Sequence, residues 1–318
     1  MRTKEKLEAS AAMLNKQRKR ARMKDTLSLS AMALPGVLLL LIFNYIPMIG
    51  VIIAFQDYNP NLGIFESPFV GFKNFEFYFT SSDFTRTMGN TLFYSISFLF
   101  LNLVTAVGLA LMFYSVRNRR LMKAYNTVII LPRFLSAVII SFIAYILLAP
   151  THGIINQLIV ALGGDRINWY MEPKYWPIIL TIVHIWQVVG MNSIIYYASL
   201  MSLDDSLIEA AVLDGANKWQ QIRHVLIPHL VPVMVISTIL ALGGIFGGDF
   251  GLFYQTPKNV GALYETTDII NTYVFRALQG GKFEMSTAVN LFQSVAGLIM
   301  VVGTNAVVRK VSPENSLF

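Results

Sequence analysis

The sequence lacks cysteine and has little charge. With no Cys among its 318 residues, disulfides, thiolate metal sites and cysteine nucleophiles are excluded. Charged residues make up 14% of the chain, against roughly 25% in soluble globular domains. The hydrophobic residues, 55% of the total, cluster in uncharged stretches of about 20, enough to cross the ~30 Å hydrocarbon core of a bilayer as helices. Lipid is therefore the expected solvent.

The motifs of several enzyme classes are also missing. A Walker A loop needs G-x-x-x-x-G-K-[ST], but the one Gly-Lys pair, Gly281-Lys282, is followed by Phe283 and lacks the upstream glycine. There is no H-E-x-x-H motif, and the four histidines are scattered between loops and apolar stretches. The chain is predicted not to be an enzyme, so that energy for any transport must come from a partner or an ion gradient.

Ionisable groups are sparse inside the apolar stretches. Carriers driven by ion gradients usually place carboxylates or paired ionisable groups near the bilayer midplane. Only Asp249 and His184 are strong candidates for such a role. Proton or sodium coupling is therefore not favoured.

The excess of positive charge, +7 at pH 7, lies largely before the first apolar stretch. No nucleic-acid-binding motif accompanies these Lys and Arg residues, so no nucleic acid is expected as a partner. Residues 1–28 are predicted to form a basic cytoplasmic segment, either solvated without a partner or in contact with lipid or protein.

The apolar pattern predicts an all-α integral membrane protein with a transmembrane domain over 29–310 and a cytoplasmic tail over 311–318. Most Lys and Arg of the connecting segments fall on the side of the two termini, which predicts that both termini are cytoplasmic. Arg133 alone lies inside a predicted span. The six predicted spans are about 29–55, 89–114, 125–149, 175–200, 230–253 and 287–308.

The connection 201–229 between the fourth and fifth spans is unusually apolar for a solvated loop. Its residues 209–228 read EAAVLDGANKWQQIRHVLIP, which predicts a helix, a bend at Asp214-Gly215 and a second amphipathic helix ending at Pro228. Trp219, Ile222 and Val225 form one stripe of the second helix. That stripe must rest either on the membrane domain or on a partner protein.

This segment resembles the EAA motif of the permease subunits of type I ABC importers. Isoleucine at position 227, where leucine is usual, is the one departure. The resemblance implies a fold of six transmembrane helices with a cytoplasmic coupling helix between the fourth and fifth, which docks into a groove of a separate ATPase subunit. The matching positions that would couple to the ATPase are Glu209, Ala210, Ala211, Asp214, Gly215, Ala216, Ile222 and Pro228, together with Val225.

Two of these residues allow a second interpretation. Glu209 and Asp214 either cap the local helices or pair with basic groups of the partner. Gly215 would permit the bend, and the alanines would permit close approach.

Other segments are similar to carbohydrate-uptake permeases, in particular those for oligosaccharides or polysaccharides. They are residues 69–75, 153–156, 268–276 and 312–318, and the resemblance covers roughly 28–318. It implies a multi-pass protein of the bacterial cell membrane. Its implied partners are a second homologous permease, two copies of a cytoplasmic ABC ATPase that bind ATP and Mg, and an extracellular solute-binding protein that delivers the carbohydrate. No cofactor is expected in this chain.

Polar side chains inside the spans are candidates for a sugar translocation path, because sugars need hydrogen-bonding groups and aromatic faces. Each of them could instead join helices, where polar contacts contribute about 0.6 kcal/mol. The candidates are Asn102, His184, Trp186, Gln187, Asn192, Asp249, Asn290 and Gln293. Alternatives are an ABC permease for another solute or a non-transporting membrane scaffold; the missing motifs disfavour an intramembrane enzyme.

Overall fold

The computed structural model of the protein describes residues 29–116 and 118–311, together with Met23, Thr26, Pro313 and Ser316. Within these residues every regular element is a helix, and one antiparallel bridge joins Gln56 to Phe69. Apart from those few residues, the predicted basic segment 1–28 and tail 311–318 lie outside the described residues.

Five helices of the described chain are long and apolar enough to cross a membrane. A sixth would be formed by α5 and α6 together, which are bent by 100° at a short break. The five are α1 (Leu29–Phe55), α4 (Ser82–Tyr114), Pro173–Leu200 with α8 (Trp176–Leu200), Lys218–Gly243 with α10 (Lys218–Gln221) and α11 (Ile227–Gly243), and α15 (Phe283–Val311); the bent pair is α5 (Arg119–Ile130) and α6 (Ala137–Leu148).

Shorter helices cover the two ends of the bundle. We call the end that carries α9 (Asp205–Leu213) and α10 the loop end, and the opposite one the distal end. The distal stretch 56–88 contains two short helices and the first two turns of α4. The remaining short helices are α2 (Gly63–Glu66), α3 (Lys73–Phe79), α7 (Ile154–Ala161), α12 (Phe250–Gln255), α13 (Tyr264–Thr267) and α14 (Ile270–Gln279).

The fifth apolar helix differs from the predicted span 230–253. It begins at Lys218, passes Pro228 without a break and ends at Gly243. A turn containing Gly244, Gly247 and Gly248 follows, because glycine lowers helix stability by roughly 1 kcal/mol each and Gly248 adopts a positive φ of 72°. The glycines thus end the helix at Gly243, ten residues before the predicted end of the span.

The third predicted span is interrupted next to Pro132. A 3-10 turn, Leu131–Phe134, follows α5, and the side chain of Ser136 then accepts a hydrogen bond from Ile139 N (3.3 Å) to begin α6. On the other side of α5, helix α8 approaches so closely that a Cβ on Gly190 would overlap the Ile129 carbonyl. Glycine at this position therefore sets the separation between α8 and the broken helix.

The core lies along the contact between α4 and α8. Tyr94, Phe98, Trp176 and Leu180 form its central part with residues of α12, while small residues such as Ala106 let the helices approach at the loop end. Helix α1 is mostly exposed and contacts α15 through residues 46–55. Such an exposed apolar surface suits a protein solvated by lipid or covered by another subunit.

A buried ionic cluster holds the distal end together. The carboxylate of Asp268, which is fully buried, accepts hydrogen bonds from Arg276 Nη2 (2.6 Å), Arg86 Nη2 (3.0 Å) and Thr272 Oγ1 (2.8 Å). Asn90 Nδ2 donates to the backbone oxygen of the same aspartate (3.0 Å). Residues of α4 and α14 are thereby tied to one charged group.

Beside this cluster, Tyr78 of α3 is buried against Tyr273. Burial raises the pKa of the Tyr78 phenol to about 12, although its hydrogen bond with Thr87 lowers it in part. Because Thr87 Oγ1 already donates to the Asp83 carbonyl (2.7 Å), the protonated Tyr78 hydroxyl is the donor in the 2.8 Å contact with Thr87.

The Asp268 cluster yields a stability prediction. The substitution Asp268→Asn leaves two arginines without their shared buried counter-charge, so we expect the free energy of unfolding to fall by about 3 kcal/mol. The control is Asp83→Asn, which removes the more exposed partner of the same Arg86 and should cost less than about 1 kcal/mol. Thermal unfolding of the detergent-solubilised protein measures both, and equal shifts for the two variants would contradict the argument.

Candidate functional site

The bent segment at the loop end is built from its own hydrogen bonds. The side chain of Asp204 accepts from Ser206 N (2.9 Å) to begin α9, and this bond lowers the pKa of the Asp204 carboxyl. The helix ends in a Schellman motif, in which Ala216 N donates to Ala211 O (2.9 Å) and Gly215 adopts a φ of +80°. The bend predicted at Asp214-Gly215 is therefore a left-handed glycine C-cap.

A capping box begins the second helix immediately after the bend. Gln220 N donates to Asn217 Oδ1 (2.9 Å), and Asn217 N donates to Gln220 Oε1 (2.8 Å). The buried side chain of Gln221 reaches back and donates to the Ala216 carbonyl (2.8 Å). The two helices and the turn between them thus form one ordered unit.

This unit presents one apolar side to the bundle and another to its surroundings. Ile208 and Ile222 pack on a cluster containing Leu200 and Leu226. On the exposed side, Leu213 retains 87% and Trp219 67% of its accessible surface. We call the exposed set Leu207, Val212, Leu213 and Trp219 the coupling patch.

The predicted stripe of the second helix is therefore divided. Ile222 faces the membrane domain, whereas Trp219 belongs to the coupling patch. Of the other motif residues, Glu209, Ala210, Asp214, Gly215 and Pro228 are exposed, and Ala211 and Ala216 are half-buried.

A cavity of about 550 Å³ lies where the two helix breaks meet α4 and α8. It contains three of the predicted path residues, Asn102, His184 and Asp249. The His184 ring stacks on Phe98 with centroids 3.8 Å apart. Its walls are formed by Ser95, Phe98, Leu99, Asn102, Arg133, His184, Ala241, Gly244, Ile245, Gly248, Asp249, Phe250 and Asn271.

A second cavity, of about 190 Å³, adjoins the first through the shared wall residue Asn102. There Asn192 Nδ2 donates to Asn102 Oδ1 (3.0 Å). Ser237 and Thr238 of α11 add hydroxyl groups to its wall. This hydrogen bond joins α4 to α8, so Asn102 serves both as a cavity wall and as a helix contact.

The other predicted path residues lie elsewhere. Trp186, Gln187 and Asn290 are absent from the walls of both cavities. Gln293 is buried and donates to the Phe246 carbonyl (2.6 Å) and to Asn271 Oδ1 (2.9 Å). It therefore positions a cavity residue rather than facing the cavity.

Three polar wall residues of the larger cavity, Ser95, Arg133 and Asn271, were not among the predicted ones. Arg133 could have been predicted as a wall residue, because it is the one Lys or Arg inside a predicted span. No feature of the sequence indicated Asn271, since it belongs to α14 outside the predicted spans and reaches the cavity only through the tertiary fold. Among the described residues, no group of three His, Asp or Glu side chains could hold a metal ion.

Comparison with known proteins identifies related sequences and folds. The chain is 36% identical to the Polygalacturonan/rhamnogalacturonan transport system permease protein YteP of Bacillus subtilis (strain 168), covering 89% of this chain and 88% of YteP. It is 33% identical to Protein LplB of the same organism, covering 88% of each. A chain of a bacterial ABC transporter involved in the import of the acidic polysaccharide alginate superposes with a TM-score of 0.84, at 33% identity over 93% of this chain and 99% of that one.

The helical bundle and its similarity to these proteins define a permease subunit of an ABC importer, with the type I permease fold. Residues 102–312 match the family described as "Binding-protein-dependent transport system inner membrane component". The chain belongs to this family. It is thus the membrane-embedded component of the importer and not its ATPase.

The glycine C-cap yields a prediction at Gly215. A Cβ there would meet no atom within 4 Å, so the cost of substitution comes from the positive φ alone. Gly215→Val should open the bend, because a β-branched residue avoids this conformation, whereas Gly215→Asn should largely keep it. Hydrogen exchange at the Gly215 and Ala216 amides should therefore be faster in the Val variant. Equal exchange in the two variants would show that the bend does not need a left-handed residue.

Proposed function

We propose that this chain forms, together with a second homologous permease, the transmembrane path of an importer for a carbohydrate, either an oligosaccharide or a polysaccharide. An extracellular binding protein delivers the substrate. Support comes from YteP and from the alginate transporter, which has also been crystallised in complex with an alginate pentasaccharide-bound periplasmic protein. The amide, hydroxyl and ring groups of the cavity wall suit sugar hydroxyls and ring faces.

The observation that carries the proposal is the continuity of the helix Lys218–Gly243. Its first turn holds Trp219 of the coupling patch, and its last turns hold Ser237, Thr238 and Ala241 of the cavity walls. At 1.5 Å per residue the helix is about 39 Å long. Displacement of the patch by a partner would therefore be transmitted directly to the cavity.

In this proposal two copies of a cytoplasmic ABC ATPase bind ATP and Mg and supply that displacement. The coupling patch of this chain docks into a groove on one of them. Leu213 and Trp219 provide apolar anchors, while Glu209 and Asp214 lie exposed beside them and can pair with basic groups of the ATPase. The ordered bend makes the patch stiff enough to transmit motion.

We further propose six spans in a bacterial cell membrane, with the bent pair α5 and α6 counted as the third. The loop end and both termini face the cytoplasm, and the distal end with α3 and α14 faces outside. The concentration of Lys and Arg near the termini supports this orientation. The path then runs through the two cavities, past Asn192, Asn102, His184 and Asp249.

The coupling patch provides the test. The double substitution Leu213→Ala with Trp219→Ala should weaken ATPase binding by at least about 30-fold, because even one buried anchor of an interface contributes about 2 kcal/mol or more. Both side chains are exposed in this chain alone, so its folding should be unaffected. The measurements are co-purification of the ATPase subunit with the permease pair and ATP-dependent uptake of labelled oligosaccharide into proteoliposomes.

The control is Phe65→Ala, which removes an equally exposed aromatic side chain (90%) from the distal end. It should leave ATPase binding unchanged. Unaltered co-purification of the ATPase with the double variant would overturn the docking proposal. Normal ATPase binding without uptake of any saccharide by the wild-type complex would favour a membrane scaffold instead.

A further inference from the structure

The cavity wall carries one arginine or lysine, Arg133, and none of the ion pairs among the described residues involves it. It lies in the turn Leu131–Phe134 at the break between α5 and α6, and its side chain is exposed to the cavity. Within the described chain no carboxylate oxygen lies within 4.0 Å of its guanidinium. Asp249 borders the same cavity, but its Oδ1 accepts the hydrogen bond from Leu252 N (3.0 Å) that begins α12.

An arginine without an ion pair is unusual between two apolar helices. Charged groups inside transmembrane regions normally pair with one another or face a path. The arginines of the distal end illustrate the usual arrangement, since Arg86 and Arg276 both bind the buried Asp268. Arg133 has no such partner among the described residues, so its counter-charge must come from outside them.

The shape of the group indicates which anion fits. A guanidinium presents parallel N–H donors that match the two oxygens of a carboxylate. Around it, Asn102, Asn271 and Ser95 offer hydrogen bonds to hydroxyl groups, and the stacked rings of Phe98 and His184 offer an apolar face. Asp249 can accept from a hydroxyl but would repel a densely charged anion. One carboxylate on a hydroxylated ring satisfies all of these groups.

We infer that Arg133 binds the carboxylate of uronic acid units as an acidic oligosaccharide passes through the cavity, and that it determines specificity for such saccharides. This inference rests on the proposed function and adds the substrate class. A neutral sugar would leave the guanidinium without a counter-charge, so its passage gains nothing from Arg133.

The test compares one saccharide in a charged and a neutral form. The complete complex of both permeases, the ATPase and the binding protein is reconstituted in proteoliposomes, and uptake of labelled trigalacturonate and of its methyl ester is measured. Each saccharide is supplied at a concentration that saturates the binding protein, determined separately, so that differences arise in the membrane subunits. Arg133→Gln should lower trigalacturonate uptake at least about tenfold and leave ester uptake unchanged.

Two further variants keep the comparison interpretable. Arg309→Gln removes an exposed arginine of α15 outside the cavity walls and should change neither uptake. Arg133→Lys keeps the charge but loses the paired donors, so its trigalacturonate uptake should fall by a smaller factor than in Arg133→Gln. If Arg133→Gln assembles poorly, the trigalacturonate uptake of Arg133→Lys tests the inference in its place.

Three outcomes would overturn the inference. Unchanged trigalacturonate uptake in Arg133→Gln would show that the side chain does not bind the carboxylate. Equal loss of both saccharides would show a structural role. Wild-type uptake of the ester alone would show a preference for neutral sugars. In these cases the permease function stands, whereas absence of uptake of any saccharide by the wild-type complex overturns the proposed function as well.

Discussion

The structure depends on one constraint: backbone polar groups inside lipid must find hydrogen-bond partners within the protein. Helices satisfy this requirement along most of the bundle. Two breaks in the described chain, at 131–136 and 244–249, interrupt its apolar helices, and residues from both breaks line the same cavity. Irregular backbone is tolerated at membrane depth only where protein or a water-filled cavity surrounds it. The position of both breaks at the cavity satisfies this condition.

The two ends of the molecule differ in how their polar groups are paired and in what they expose. At the distal end, charged groups are buried and mutually paired around Asp268, which gives a rigid cap. At the loop end, the bend at Gly215 is held by local hydrogen bonds and leaves an apolar patch uncovered. The distal end is thus held together by a buried charge cluster, whereas the loop end exposes an ordered apolar surface.

Several features could be predicted from local sequence because they depend on local physics. Apolar stretches of bilayer length, the glycine bend and the helix-forming run that begins at 209 each follow from the composition of a short segment. The residues at which helices begin and end could be predicted less well from the sequence. The fifth helix extends from Lys218 to Gly243: a π-helical turn, Ile222–Leu226, precedes Pro228 and accommodates it within the helix, and Gly244, Gly247 and Gly248 follow the last turn. Whether a glycine kinks or ends a helix depends on the groups packed around it.

The sequence by itself determined the solvent, the helical class and the motif in the connection 201–229, since charge content, apolar length and residue spacing act through nearest neighbours and the surrounding lipid. Only the tertiary structure decided which polar residues share a cavity. Asn102, His184 and Asp249 meet there with Arg133 and Asn271, whereas Gln293 supports the wall and Trp186, Gln187 and Asn290 lie outside it. The physical reason is that the rotation of each helix about its axis decides which of its sides faces the cavity. This rotation is set by packing against helices distant in sequence, and a nearly uniform apolar segment does not encode it locally.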